Sequence, residues 1–221
     1  MTGPTHWTPL AFDPPDTMAG ARVRLERLRP GHAAALHAAN AADDAMWDRL
    51  PYGPFADGAA YADWVAGSAA QTDPAFYAMR SGAGWCGVGA LMRIDRAHGS
   101  IEIGHLAFAP TLRRTPAATE ALFLMADRAF DAGFRRLEWK CDAANAASRR
   151  AAERLGFTAE GTFRQHMVVK GRSRDTAWFS ILDREWPDRR AALVTWLAPA
   201  NFDADGRQIR SLGAIRAAGV R

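Results

Sequence analysis

Cysteine is nearly absent: Cys86 and Cys141 are the two in 221 residues, each inside an apolar, strand-like run. Two thiols close at most one bridge, so a dense disulfide framework is excluded and a reduced pair is the simpler reading. Paired His or Cys at ligand spacing is also missing, and no metal is expected. No stretch reaches the roughly 18 uninterrupted apolar residues of a membrane span. Residues 1–21 hold four prolines and lack a basic start followed by an apolar core, which argues against a signal peptide. These absences predict a soluble, cytoplasmic protein with no membrane partner.

What is present suits a packed enzyme-sized domain. With 48% hydrophobic residues the chain can bury a substantial core, so disorder is not expected. The formal charge of +4 is carried by an Arg-rich composition and is spread along the chain. Such a balance suits an anionic ligand as well as nucleic acid. No aromatic-basic RNA-binding motif accompanies the arginines, which argues against nucleic acid as a partner.

Periodicity sets the order of elements. Val23 to Leu28 alternates with period two and predicts a strand. Pro30-Gly31-His32 opens an alanine-rich helix to about Asn40, and Asp57 caps a second helix to about Ala70. Between them Pro51, Gly53 and Pro54 break regular structure. Residues 76–80 and 85–94 form a hairpin around Ser81-Gly82-Ala83-Gly84, followed by a strand over 100–108. A helix over 116–132 stops at Gly133, a strand spans Arg136 to Cys141, and a short helix over 146–155 stops at Gly156. Residues 163–170 and 175–182 make a last hairpin around Gly171-Arg172-Ser173. From Pro187 a short helix and an irregular tail are expected, made basic by Arg207, Arg210, Arg216 and Arg221.

Two seams carry chemistry. Arg113-Arg114-Thr115-Pro116-Ala117-Ala118 joins a strand ending at Ala107-Phe108 to a long helix. Free N–H groups and the positive end of a helix dipole at such a seam bind phosphate oxygens. Downstream, Asn145 and Ser148 project from one face of the first turn of the next helix. Asn145 is also a good N-cap on its own account. Glu102 is a carboxylate in an apolar strand, costly to bury unless paired or used. On alternation it shares a face with Gly104, while His105 points the other way; His166 lies on the last hairpin.

A phosphate-type helix start followed by a strand and an Asn/Ser helix resembles the CoA-dependent N-acetyltransferases of the GNAT superfamily, and within it the RimJ/RimL-type branch. The likeness spans roughly Val23 to Trp186. Arg113-x-x-Pro116-x-Ala118 matches the family's Gln/Arg-x-x-Gly-x-Gly/Ala with one departure: Pro116 removes a donor at the first glycine position. The resemblance implies a mixed α/β (α+β) fold with a mostly antiparallel sheet of about seven strands, splayed at its centre and flanked by helices. It divides the chain into an extended arm (1–21), the acetyltransferase domain (22–186) and a C-terminal extension packed on it (187–221).

The same resemblance implies acetyl-CoA as co-substrate. Backbone at Ala107 and Phe108 would pair with its pantetheine arm, and Arg113, Arg114 and the amides of Arg114, Thr115, Ala117 and Ala118 would hold its pyrophosphate. Asn145 would touch the arm, Ser148 would protonate the departing thiolate, and Glu102 would act as general base, with His105 and His166 as further candidates. The acceptor would be a protein N-terminus, a polyamine or another small amine, met by Trp47, Tyr52, Phe55 and Trp64 on one side. Arg164, Arg174, Asp175 and Trp178 would face it from the other. Asp175 would favour a cationic amine, Arg174 an acidic acceptor or a carboxylated acyl group, and the two could equally pair with each other. Other readings are a different donor such as succinyl-CoA, or a non-catalytic basic module that binds RNA or the ribosome. The resemblance also allows a homodimer.

Overall fold

The computed structural model describes residues 6–82 and 84–219. Ala83 of the expected turn, the start of the arm and Arg221 of the basic tail lie outside the described residues. One sheet organises the rest. Its strands are β1 (Thr17–Ala19), β2 (Arg24–Arg27), β3 (Ala75–Ser81), β4 (Gly84–Asp95), β5 (Ser100–Phe108), β6 (Arg136–Asp142), β7 (Thr158–Val169) and β8 (Arg172–Leu182). They lie in the order β1-β2-β3-β4-β5-β6-β8-β7. Every neighbour is antiparallel except the central pair β5–β6, which is parallel.

The count is eight strands rather than about seven. The extra one, β1, lies in the segment read as an extended arm, where Thr17–Ala19 pairs with Arg24–Glu26. Sequence alternation is too short over three residues to show it. The β1–β2 turn is held by a carboxylate from elsewhere: buried Glu120 accepts N–H bonds from Ala21 (3.1 Å), Arg22 (2.6 Å) and Val23 (3.0 Å). These bonds satisfy a charge that would otherwise be costly to bury.

Two helices, α1 (Ala33–Asn40) and α2 (Gly58–Ala69), cover one face of β2–β4. There Leu36, Tyr61 and Val65 bury against Phe76, Ala78, Val88 and Ala90. Asp57 caps α2 as expected, its Oδ1 accepting from Ala60 N at 2.8 Å. The opposite face packs on α3 (Pro116–Asp131), α4 (Ala146–Leu155) and α5 (Trp186–Leu197) in a larger core built on Leu91, Ile101, Met125, Leu137 and Phe179. The C-terminal extension is more regular than an irregular tail: beyond α5 lies a further helix, α6 (Leu212–Ala218), that buries Leu212 and Ile215. Arg189 and Arg216 donate to the carbonyls of Gly156 and Glu153 at the end of α4, where helix carbonyls lack partners. The last hairpin turns at Lys170-Gly171, both with positive φ (49° and 74°), one residue earlier than the Gly171-Arg172-Ser173 expectation. A two-residue turn of that kind matches strand twist.

Candidate active site

The central strands part. β5 and β6 pair only at Ser100–Arg136, Ile101–Leu137 and Glu102–Glu138. Beyond Glu102, β5 keeps β4 on one side, and β6 keeps β8 as far as Asp142–Thr176. The main chain of Ala107 and Phe108 therefore borders a gap whose polar groups are open to an added extended ligand.

At the mouth of that gap Thr115 caps α3. Its Oγ1 accepts from Ala118 N (3.2 Å) and donates to Leu112 O (2.7 Å), while Thr115 N donates to Leu112 O (3.3 Å). Two of the four nominated amides are thus engaged. Those of Arg114 and Ala117 have no acceptor among the described residues, and they sit at the positive end of a 16-residue helix. Pro116 occupies the first helical position, where no N–H is needed. Arg114 adopts a left-handed φ of 62°, and Arg113 pairs with Asp43.

Across the gap Asn145 caps α4, its Oδ1 accepting from Ser148 N at 3.1 Å. That leaves the amide Nδ2 without an acceptor among the described residues. Ser148 Oγ accepts from Trp139 Nε1 at 3.0 Å, which leaves its O–H as a donor. The Cys141 thiol lies against it: burial pushes the thiol up, while a hydrogen bond with Ser148 and the charges of Arg174 and Arg149 pull it down.

Glu102 is buried on the face that α1 and α2 cover further along the sheet. Lys140 Nζ lies 2.9 Å from its Oε2 and 2.7 Å from Glu138 Oε2, and Arg93 Nε stands 3.2 Å from Glu102 Oε2. Both cations converge on Oε2 as ion pairs. Burial pushes the Glu102 carboxyl above the usual range despite Lys140 and Arg93. Burial acts on Glu138 too, but hydrogen bonds from Lys140 and Arg136 outweigh it and hold that carboxyl low. The Lys140 ammonium also lies 4.0 Å from the centre of the Trp178 ring.

His105 corrects the alternation. At φ 52° it forms a bulge in β5, where the pairing with β4 shifts between Val88 and Ala90. Ile101 and Ile103 then share a face with Leu106 and Phe108, while His105 joins Glu102 and Ala107 on the other. Its ring packs 5.6 Å from Tyr52 and 5.0 Å from Phe76. Burial, aided by Arg93, lowers its pKa to about 4, which leaves the imidazole neutral and weakly basic at pH 7. His166, by contrast, is engaged: its Nδ1 meets Thr176 Oγ1 at 3.0 Å.

The aromatic loop stands over this face. Trp47 is 3% exposed and belongs to the core, so it backs the pocket rather than lining it. Phe55 and Tyr52 pack against it, and Tyr52 stacks on Trp64 at 4.6 Å. Gly53 is obligatory here: φ is 63°, and a Cβ would stand 2.8 Å from the Trp47 ring. Lys170 Nζ, from the hairpin turn, donates to Trp47 O (2.7 Å) and Tyr52 O (3.0 Å). Lys140 and Lys170 are the chain's two lysines among 28 cationic side chains, and both serve this site. On β8, Asp175 is occupied, its Oδ1 accepting from Gln165 N at 2.7 Å. Arg174 and Trp178 keep buried nitrogens without acceptors, and Arg164 sits in the bulge of β7 beside Gln165 and His166. The atoms Tyr52 Oη, His105 Nδ1, Arg174 Nε and Trp178 Nε1 lie buried without a hydrogen-bond partner among the described residues. Such clustering marks a place built for a ligand.

A central sheet opened between two parallel strands, with a helix N-terminus at its mouth, defines a CoA-thioester acyltransferase fold. Residues 22–158 match the family model for the acetyltransferase (GNAT) domain, and the chain belongs to that family. A GCN5-related N-acetyltransferase from Brucella melitensis is 47% identical, with 96% of this chain and 98% of that one covered at a TM-score of 0.93. A probable acetyltransferase of the GNAT family from Chromobacterium violaceum is 46% identical, with 85% and 96% covered at a TM-score of 0.79. The RimJ of Mycobacterium smegmatis, solved in complex with CoA-disulfide, is 23% identical over 82% of this chain and 94% of its own, at a TM-score of 0.69; that likeness is one of fold. No curated protein matches the sequence. Among the described residues no helix is long and apolar enough to cross a membrane, and no group of His, Cys, Asp or Glu is arranged to hold a metal.

Proposed function

We propose that this enzyme moves an acetyl group from acetyl-CoA directly to a primary amine in a ternary complex, acting in the cytoplasm as a RimJ/RimL-like branch member. The observation that carries the reading is the parted pair β5–β6, with free amides at Arg114 and Ala117 at one end and Glu102 on one wall. The residues fit the donor. The gap offers main chain at Ala107 and Phe108, and the α3 N-terminus offers N–H groups and Arg114 to a pyrophosphate. Asn145 Nδ2 is free to meet the arm. Acetyl-CoA supplies the thioester carbonyl and a thiolate leaving group.

Glu102 takes the proton of the incoming ammonium, directly or through water. Its burial and its raised affinity for protons suit that task better than the acidified imidazole of His105. Ser148 gives its proton to the thiolate while Trp139 holds the hydroxyl in place.

The test is a pH–rate profile of wild type, Glu102→Gln and Ser148→Ala. Glu102→Gln is expected to lower kcat/KM about 10²-fold and to flatten the acid limb of the profile. Ser148→Ala is expected to lower kcat with little change in acetyl-CoA affinity, because the hydroxyl acts only as the thiolate forms. Superimposable profiles for wild type and Glu102→Gln would remove Glu102 from the reaction.

A further inference from the structure

The charges named around the gap, five carboxylates and five cations, balance in number but not in pairing, and Arg174 is left without an ion-pair partner among the described residues. Each carboxylate near it has a partner: Glu102 has Lys140 and Arg93, Glu138 has Arg136 and Lys140, and Glu160 has Arg136. Asp142 pairs with Arg49, and Asp175 accepts the N–H of Gln165 through Oδ1. Arg174 has no carboxylate among the described residues, and its Nε is buried without an acceptor. Paired residues on β8 alternate, so Arg174 shares a face with Thr176 and with Trp178, which touches Lys140. It lies two residues beyond the last β6 partner, Thr176 opposite Asp142, and its charge reaches the Cys141 thiol beside Ser148. The guanidinium therefore stands at the open end of the gap, near the hydroxyl assigned to the leaving group. A buried guanidinium nitrogen left without an acceptor is costly unless a ligand completes it, and the guanidinium fork matches a carboxylate.

We propose that Arg174 binds a carboxylate carried by one of the two substrates, either the amine acceptor or the acyl chain of the donor. This rests on the acyltransferase reading above and narrows it: an acid-bearing substrate meets an arginine that no carboxylate pairs among the described residues.

Thermal shift and calorimetry on the full chain separate the two sources. In the donor arm, the affinities of succinyl-CoA and acetyl-CoA are compared. In the acceptor arm, matched amines differing only as acid and amide, such as glycylglutamate and glycylglutamine, are titrated in the presence of CoA. Both arms are run on wild type, Arg174→Gln and Arg174→Lys, with melting curves to confirm folding. Wild type is expected to favour the carboxylate member in one arm by at least ~10-fold, in line with a charge-assisted hydrogen bond. Arg174→Gln should erase the preference, Arg174→Lys should keep part of it, and acetyl-CoA affinity should hold in both. If wild type binds CoA thioesters without a carboxylate preference in either arm, or if Arg174→Gln keeps that preference, the carboxylate site is overturned and acyl transfer stands. Failure of wild type to bind any CoA thioester overturns both.

Discussion

One face of one sheet is built in two styles. On β2–β4 it is apolar and roofed: Phe76, Ala78, Val88 and Ala90 lie under α1 and α2 with Leu36, Tyr61 and Val65. On β5, β6 and β8 the same face carries Glu102, Glu138, Lys140, Thr176, Trp178 and Ser180, and charges pair across strands: Arg93–Glu102–Lys140–Glu138–Arg136–Glu160. The first half gains stability from burying apolar area, which needs no direction. The second is held by ion pairs whose desolvation cost roughly offsets their attraction, so it adds little net stability while fixing where each charge sits. The border between the styles falls between β4 and β5, one strand short of where β5 and β6 part. Packing thus holds the scaffold steady up to β4, and electrostatics takes over where chemistry is to be done.

The largest expected effect comes from breaking the polar half. Lys140→Met removes the cation between two buried carboxylates and leaves them facing each other. The expected cost is about 3–5 kcal/mol at pH 8 in chemical denaturation, the range for stripping one partner from a buried ion pair. The sign with pH follows. Without Lys140 the folded state raises the pKa of Glu102 and Glu138, so the penalty is full above those values and fades as pH falls and the carboxyls protonate. The pH–rate profile should move with it, its acid limb shifting to higher pH. A cost that does not depend on pH would mean that Lys140 contributes packing against Trp178 rather than charge.

The apolar half can be probed at its border. His105 is kept neutral under Tyr52 and Phe76, its pKa lowered from 6.5 to about 4. The unfolded chain accepts a proton there below pH 6.5 and the folded chain does not, so stability is lost as pH falls from about 6.5 toward 4. The loss amounts to something on the order of 3 kcal/mol by linkage. His105→Gln should remove that share of the acid-side slope, read as the difference between the two stability–pH curves. Parallel curves would mean that the imidazole titrates freely.

How much of this is legible in the sequence differs between the halves. Caps and periodic helices speak locally, so α3 starting at Pro116, α4 over Ala146–Leu155 and the Asp57 cap are all readable. The bulge at His105 is not, because one left-handed residue reverses the parity of every later position, and no residue type announces it. Lys140 was within reach. Alternation puts Glu138 and Lys140 on one face of β6, and parallel pairing sets Glu138 beside Glu102. Only the register, a long-range fact, was missing. Glu120 lies beyond local reading altogether, since its partners are 97 to 99 residues away. Asp175 and Arg174 read as equal candidates, and the bulge in β7, opened between Phe163 and Met167, is what turns the Gln165 N–H onto Asp175.

The smallest expected effect tests whether the two halves are coupled across the gap. Lys170 is the link from the hairpin to the aromatic loop, and its ammonium binds two main-chain carbonyls, those of Trp47 and Tyr52. The side chain is largely exposed, so removing it should cost only about 1.5 kcal/mol, at the low end for hydrogen bonds from a charged donor. Lys170→Met leaves Trp47 in its core and the Lys140 network intact. What should change is local: hydrogen exchange should quicken in residues 48–56, between the buried Trp47 and the start of α2, with the sheet unaffected. If acceptor binding needs that loop closed over Glu102, KM for the amine should rise while acetyl-CoA affinity holds. Unchanged exchange in the loop would mean that its aromatic packing, Tyr52 on Trp64 and Phe55 on Tyr61, closes the pocket without help from the hairpin.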